Sequence, residues 1–174
     1  MIFNCKQCSL HKFRKNIVQG RGSLPADLCI VGEAPGKTED MLCEAFIGQA
    51  GQLLNQIIYD TCNNVGIVPL IYFTNTVLCR PTDRIGGDNR QPTKEEVFLC
   101  SQNVQEIIAK TKAKEFILAG DIAEKYMKSS IKHYTKIMHP SAILRNGGKS
   151  SGYYLETVRK LETVFRRLKN EERK

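Results

Sequence analysis

Short apolar runs alternate with longer amphipathic stretches along this chain. Leu28–Val31, Leu70–Thr76, Phe116–Ala119 and Tyr134–Met138 are rich in apolar and β-branched residues and of strand length, the pattern of strands covered on both faces. Between them, Leu53, Leu54, Ile57, Ile58 and Val65 keep helical spacing. Thr93 and Glu96 form a capping box, and Val97, Cys100, Val104, Ile107 and Ile108 follow on one helical face. Gly120 opens a shorter helix. Leu155, Val158, Leu161, Phe165 and Leu168 stripe a final helix with a basic outer face. Strands alternating with helices predict an α/β fold: three layers, α/β/α, around a central, mostly parallel four-stranded sheet. No repeat, low-complexity tract or linker interrupts the chain, so one domain over residues 1–174 is expected, a size that buries roughly 70% of the unfolded surface.

In such a sheet the loops after the strands converge on one crevice, where ligands bind. Two of these loops carry chemistry. Gly32-Glu33-Ala34-Pro35-Gly36 follows the first strand and His139-Pro140-Ser141 the last. A carboxylate just past a buried strand is costly unless it is paired or functional. Gly36-Lys37-Thr38 resembles the end of a phosphate-binding P-loop, but that motif needs a glycine at position 31, which is Val. A plain strand-to-helix turn is the alternative. Pro140 disfavours a helical His139 and turns the chain sharply out of its strand. Asn75 closes another strand, where its amide could cap locally or read one edge of a base. Phe46 alone reads more readily as core.

Charge adds a partner. Lys and Arg number 26 against 18 acids, a net of +8, which suits a polyanion such as nucleic acid. The absence of a membrane-length apolar run or a signal-like N-terminus leads us to expect a cytoplasmic protein with no membrane partner. The seven cysteines are an odd count and unevenly spaced, which argues against a disulfide framework. Cys5-x-x-Cys8 with Cys79 and Cys100 suggests a metal site. The long third interval is tolerated by iron–sulfur clusters better than by zinc, and buried free thiols are the competing reading.

Together these residues resemble the uracil-DNA glycosylase superfamily, and most closely its iron–sulfur branch, family 4. The resemblance runs from Cys5 to about Arg145. It is carried by Gly32-Glu33-Ala34-Pro35-Gly36-Lys37-Thr38-Glu39-Asp40 with Phe46-Ile47-Gly48-Gln49-Ala50-Gly51, by Asn75-Thr76-Val77-Leu78-Cys79-Arg80-Pro81, and by His139-Pro140-Ser141-Ala142-Ile143-Leu144-Arg145. It implies a monofunctional glycosylase of base excision repair, which flips uracil out of single- or double-stranded DNA and leaves an abasic site. Glu33 would serve the sugar and its attacking water, and His139 would donate to O2 of the leaving base. Phe46 would stack on the uracil and Asn75 would read its edge. Gly32, Ala34, Gly36 and Asp40 would complete the substrate-binding set. Arg80, Ser141, Leu144 and Arg145 would contact DNA. Cys5, Cys8, Cys79 and Cys100 would bind a [4Fe-4S] cluster. A monomer is expected.

The chain departs from the family pattern. Cys43 stands where Gly is usual, which disfavours a positive φ there. Ala45 stands where Pro is usual, which predicts a looser placement of the Phe46 ring. The loop between Cys79 and Cys100 is longer than usual but lacks the histidine of relatives that bond covalently to uracil-DNA, so covalent trapping is not expected. The residues from Gly147 onward carry little of the pattern. Two other readings compete: a catalytically weak iron–sulfur DNA-binding module, and a zinc-binding nucleic-acid module.

Overall fold

A computed structural model describes residue 2 and residues 4–171 of the chain. The single expected domain therefore includes five residues, 1, 3 and 172–174, that lie outside the described ones. The sheet has five strands, not four: β1 (Arg21–Gly22), β2 (Leu28–Gly32), β3 (Ile71–Asn75), β4 (Glu115–Ala119) and β5 (Thr135–Ile137), in the order β1-β3-β2-β4-β5. The four strands expected from hydrophobicity are all present and mutually parallel, while β1 pairs antiparallel with the edge of β3. β1 escapes a reading of apolar periodicity because it is two residues long, an arginine and a glycine. It exists only through its pairing with Tyr72 and Phe73.

Every residue of β2 is buried, as suits a central strand with helices above and below. On one face Leu28, Ile30, Phe73, Ile117 and Ile137 pack against α2 (Gln49–Val65), α5 (Pro140–Arg145) and α6 (Gly152–Glu171). On the other, Cys29, Val31, Tyr72 and Leu118 meet α3 (Lys94–Thr111) and α4 (Asp121–Met127). Alternate residues of one strand thus feed two cores, which is the three-layer arrangement. The capping box of α3 forms as expected. Thr93 Oγ1 accepts from the Glu96 amide at 3.2 Å, and Glu96 Oε2 accepts from the Thr93 amide at 2.8 Å. Glu96 is buried, and the Arg90 guanidinium bonded to it holds its carboxyl below the usual range. That pair ties the loop of residues 80–92 to the start of α3.

The chain runs from β2 outward to β3, then crosses back over β2 to β4, so the crevice opens at the carboxyl ends of these strands. Gly32 is the register partner of Asn75, and Ala119 that of Ile137, two residues before His139. The sheet therefore delivers Gly32, Asn75, Gly120 and His139 to the same end.

Candidate active site and cysteine cluster

Gly32 ends β2 beside Asn75, at the carboxyl edge of the sheet. A Cβ there would lie 2.5 Å from Phe46 Cζ and 2.6 Å from Asn75 Oδ1, so both side chains occupy the space that any larger residue would need. Asn75 is 3% exposed, yet no described residue hydrogen-bonds its side-chain amide. Among the described residues no buried side-chain nitrogen or oxygen lacks a partner, so the Asn75 amide tip keeps contact with solvent, where a ligand with a matching donor and acceptor could pair with it. Phe46 is buried beside Phe73, ring centroids 5.8 Å apart.

Glu33 is half-buried in the same turn. Its backbone carbonyl accepts from Thr76 Oγ1 at 2.6 Å, which links the turn to the exit of β3. Burial raises the pKa of its carboxyl. Ala34 and Gly36 continue the turn into α1 (Lys37–Leu42), whose first carboxylate, Glu39, accepts from the amides of Gly36 (3.1 Å), Ile47 (3.1 Å) and Gly48 (2.7 Å). Glu39 therefore joins the Glu33 turn to the Phe46 segment, a role sequence reading missed. The capping-box spacing to Gly36 was a usable signal.

His139 is the N-cap of α5. Its Nδ1 accepts the Ser141 backbone amide at 3.2 Å and lies 2.7 Å from Ser141 Oγ. An N–H aimed at Nδ1 leaves the neutral ring's proton on Nε2, the free edge. Burial, helped by the Arg145 charge, pushes the imidazole pKa down to about 4. Gly120 makes room for it: a Cβ there would stand 2.9 Å from His139 Cβ, and φ is +92°. Leu144 and Arg145 are exposed on the outer turn of α5.

Two residues of the expected site make internal bonds. Asp40 is buried, and its carboxylate takes the amides of Lys15 and Asn16 at 3.0 Å each, so it anchors the N-terminal segment. Arg80 is 4% exposed. It donates to Asn89 Oδ1 at 2.5 Å and to the Gly87 carbonyl, organising the loop of residues 80–92 from within. Cys43 also differs from expectation. Despite its side chain it sits at φ 60°, ψ 32° and caps α1, a left-handed conformation that costs roughly 1–2 kcal/mol. Ala45 is fully buried and its carbonyl accepts from Arg21 Nε at 2.6 Å, so the Phe46 segment is held without a proline.

Cys5, Cys8, Cys79 and Cys100 line one small pocket between the N-terminal segment, the exit of β3 and α3. Burial pushes the Cys79 thiol up to about 11 and the Cys100 thiol up to about 12. Such thiols ionise only beside a cation. Arg14 donates to Cys79 Sγ at 3.3 Å and to the Cys5 carbonyl at 2.6 Å. Among the described residues, no three Cys, His, Asp or Glu side chains converge tightly enough for a single metal ion. Four cysteine thiols lining one pocket are a donor set that a [4Fe-4S] cluster takes.

The family model of the uracil DNA glycosylase superfamily matches residues 19–162. The chain belongs to the uracil-DNA glycosylase superfamily. The match extends past Arg145 into α6, farther than the motifs reach, and begins after Cys5 and Cys8. The chain is similar to the type-4 uracil-DNA glycosylases of Pyrobaculum aerophilum (40% identity over 72% of this chain and 60% of that protein) and Archaeoglobus fulgidus (34% over 72% and 59%). It is 38% identical to that of Thermotoga maritima over 57% of this chain and 47% of the relative. The chain thus spans about three fifths of the length of the first two relatives. Among the described residues, no helix is long and apolar enough to cross a membrane.

Proposed function

We propose that this chain is a monofunctional uracil-DNA glycosylase of the type-4 branch, which extrudes uracil from DNA, hydrolyses its N-glycosidic bond and leaves an abasic site for base excision repair. The observation that carries this reading is the Asn75 amide, bonded to no described residue, set against Gly32 and the Phe46 ring. It is a slot for one planar group with a donor and an acceptor on one edge, as a flipped base presents.

Breaking the bond sends negative charge onto the base and positive character onto the sugar. His139 donates from Nε2 to the uracil O2 as that charge grows, and as a neutral donor it keeps its proton. Glu33 stands at the sugar side. Its carboxylate opposes the sugar's developing charge and orients the attacking water, and its raised pKa makes it a better base for the water proton. Phe46 stacks on the uracil face, and the Gly32–Gly36 backbone, with Ala34, closes around it. Ser141 fixes the His139 ring and lies where a DNA phosphate would meet the start of α5, while Leu144 fills the vacated stack and Arg145 pairs with the backbone. Asp40 and Arg80 act at a distance, by holding segments in place.

A [4Fe-4S] cluster on Cys5, Cys8, Cys79 and Cys100 would cross-link the N-terminal segment to the β3 exit and to α3. The chain acts as a monomer on single- and double-stranded DNA, faster on the single strand, which spares the unpairing cost.

The test is an oligonucleotide with one deoxyuridine, incubated with cluster-loaded protein and then treated with alkali. Strand cleavage at that position is expected. Its absence on both single- and double-stranded substrates would leave a DNA-binding module instead.

A further inference from the structure

Phe46 has no regular element of its own to hold it. It lies in the segment between α1 and α2 at φ 55°, a left-handed conformation that a non-glycine residue keeps only when its surroundings impose it. Two charged side chains impose it from opposite sides. Glu39 takes the amides of Ile47 and Gly48 just after the ring. Arg21, on the short antiparallel strand β1, donates to the carbonyl before Phe46 and to that of Phe46 itself: Nε to Ala45 O at 2.6 Å and Nη2 to Phe46 O at 3.3 Å. Arg21 Nη2 also donates to Asn55 Oδ1 on α2 at 2.8 Å, and its guanidinium stacks 4.1 Å from the centroid of Phe73, the ring that packs against Phe46.

We propose that Arg21 is a positioning residue for uracil excision: its planar guanidinium, anchored on Phe73 and α2, holds the Phe46 ring at its place over Gly32 and beside Asn75. The proposal rests on the reading of Phe46 as the ring that stacks on uracil. An arginine suits the task because one rigid fork reaches three acceptors while its face covers an aromatic ring. A lysine ammonium cannot do both. This also gives β1 a purpose. Pairing Arg21 with Phe73 across the strands sets the guanidinium over that ring and aims it at the segment before α2.

The test combines Arg21→Met, Phe46→Ala and the double variant, with Arg21→Lys as a conservative control. In Arg21→Met, hydrogen exchange at the Ile47 and Gly48 amides rises, and single-turnover excision of uracil slows by about tenfold or more, as a displaced contact at the reacting group demands. Binding to abasic-site DNA, which has no base to stack, stays within about twofold of wild type. In the Phe46→Ala background Arg21→Met adds no further loss. Arg21→Lys rescues little, and it carries the test if Arg21→Met does not fold. Unchanged exchange at Ile47 and Gly48 overturns the proposal. So does an Arg21→Met loss that persists without the Phe46 ring, a parallel loss of abasic-site binding, or wild-type excision by Arg21→Lys. If the wild-type protein excises no uracil, the uracil reading fails, and the exchange measurement still decides whether Arg21 holds the segment.

Discussion

The backbone amide of Ser141 points at Nδ1 of His139 from 3.2 Å, and this contact sets which ring nitrogen carries the proton. With its pKa pushed down to about 4, the ring is neutral across the physiological range and keeps its proton on Nε2. The kcat/KM profile should therefore show no transition near 6.5. The acid limb should come instead from Glu33, at a pH above the usual carboxylate value of 4.5, and should vanish in Glu33→Gln along with most activity. A limb near 6.5 that survives in Glu33→Gln would contradict both assignments.

The same burial of His139 links stability to pH. Because its folded pKa lies below the unfolded 6.5, the unfolded chain binds the proton first on acidification. The contribution is complete above 6.5 and is lost as pH falls toward 4, up to about 3 kcal/mol at 1.36 kcal/mol per unit. Thermal melts of wild type and His139→Asn from pH 7 to 4 should diverge, with the wild type losing more.

Asn75→Ala should remove most excision activity while DNA binding is retained, because the amide has no structural partner to lose. Gly32→Ala should be as damaging. Its Cβ would stand 2.5 Å from the Phe46 ring and 2.6 Å from Asn75 Oδ1, so both must move, and a loss of about a hundredfold is expected for a misplacement of this kind. Single-turnover excision alongside fluorescence-based DNA binding separates the two effects.

Loaded protein should be brown, with broad visible absorption, after anaerobic purification. Cys8→Ser or Cys100→Ser should lose the colour and lower Tm, because both line the pocket that joins the N-terminal segment to α3. A colourless wild type carrying one zinc per chain would overturn the cluster assignment.

Leu144 is 37% exposed at the outer turn of α5. Leu144→Ala should slow excision from duplex DNA more than from single-stranded DNA, since only the duplex has a stack to be refilled. Equal effects on both substrates would remove the wedge role.

Much of this protein was legible before any tertiary structure. The four parallel strands are apolar because helices cover both their faces, and a buried strand must show its burial in its own residues. The ends of those strands then place Gly32, Asn75 and His139 together by topology alone. Other features had no local signature. β1 is an arginine and a glycine that become a strand only against β3. Asp40 and Arg80 sit within diagnostic motifs, yet burial turns them into internal ties, since a charged group enclosed by the fold must bond to the backbone and side chains around it. Phe46 takes a positive φ against its residue type, because bonds from Arg21 and Glu39 outweigh the local preference, and Cys43 takes one as the C-cap of α1. Local chemistry chose the strands, caps and reactive groups. Which charges face the ligand and which hold the scaffold depended on contacts between residues far apart in the chain, and only the folded protein brings those together.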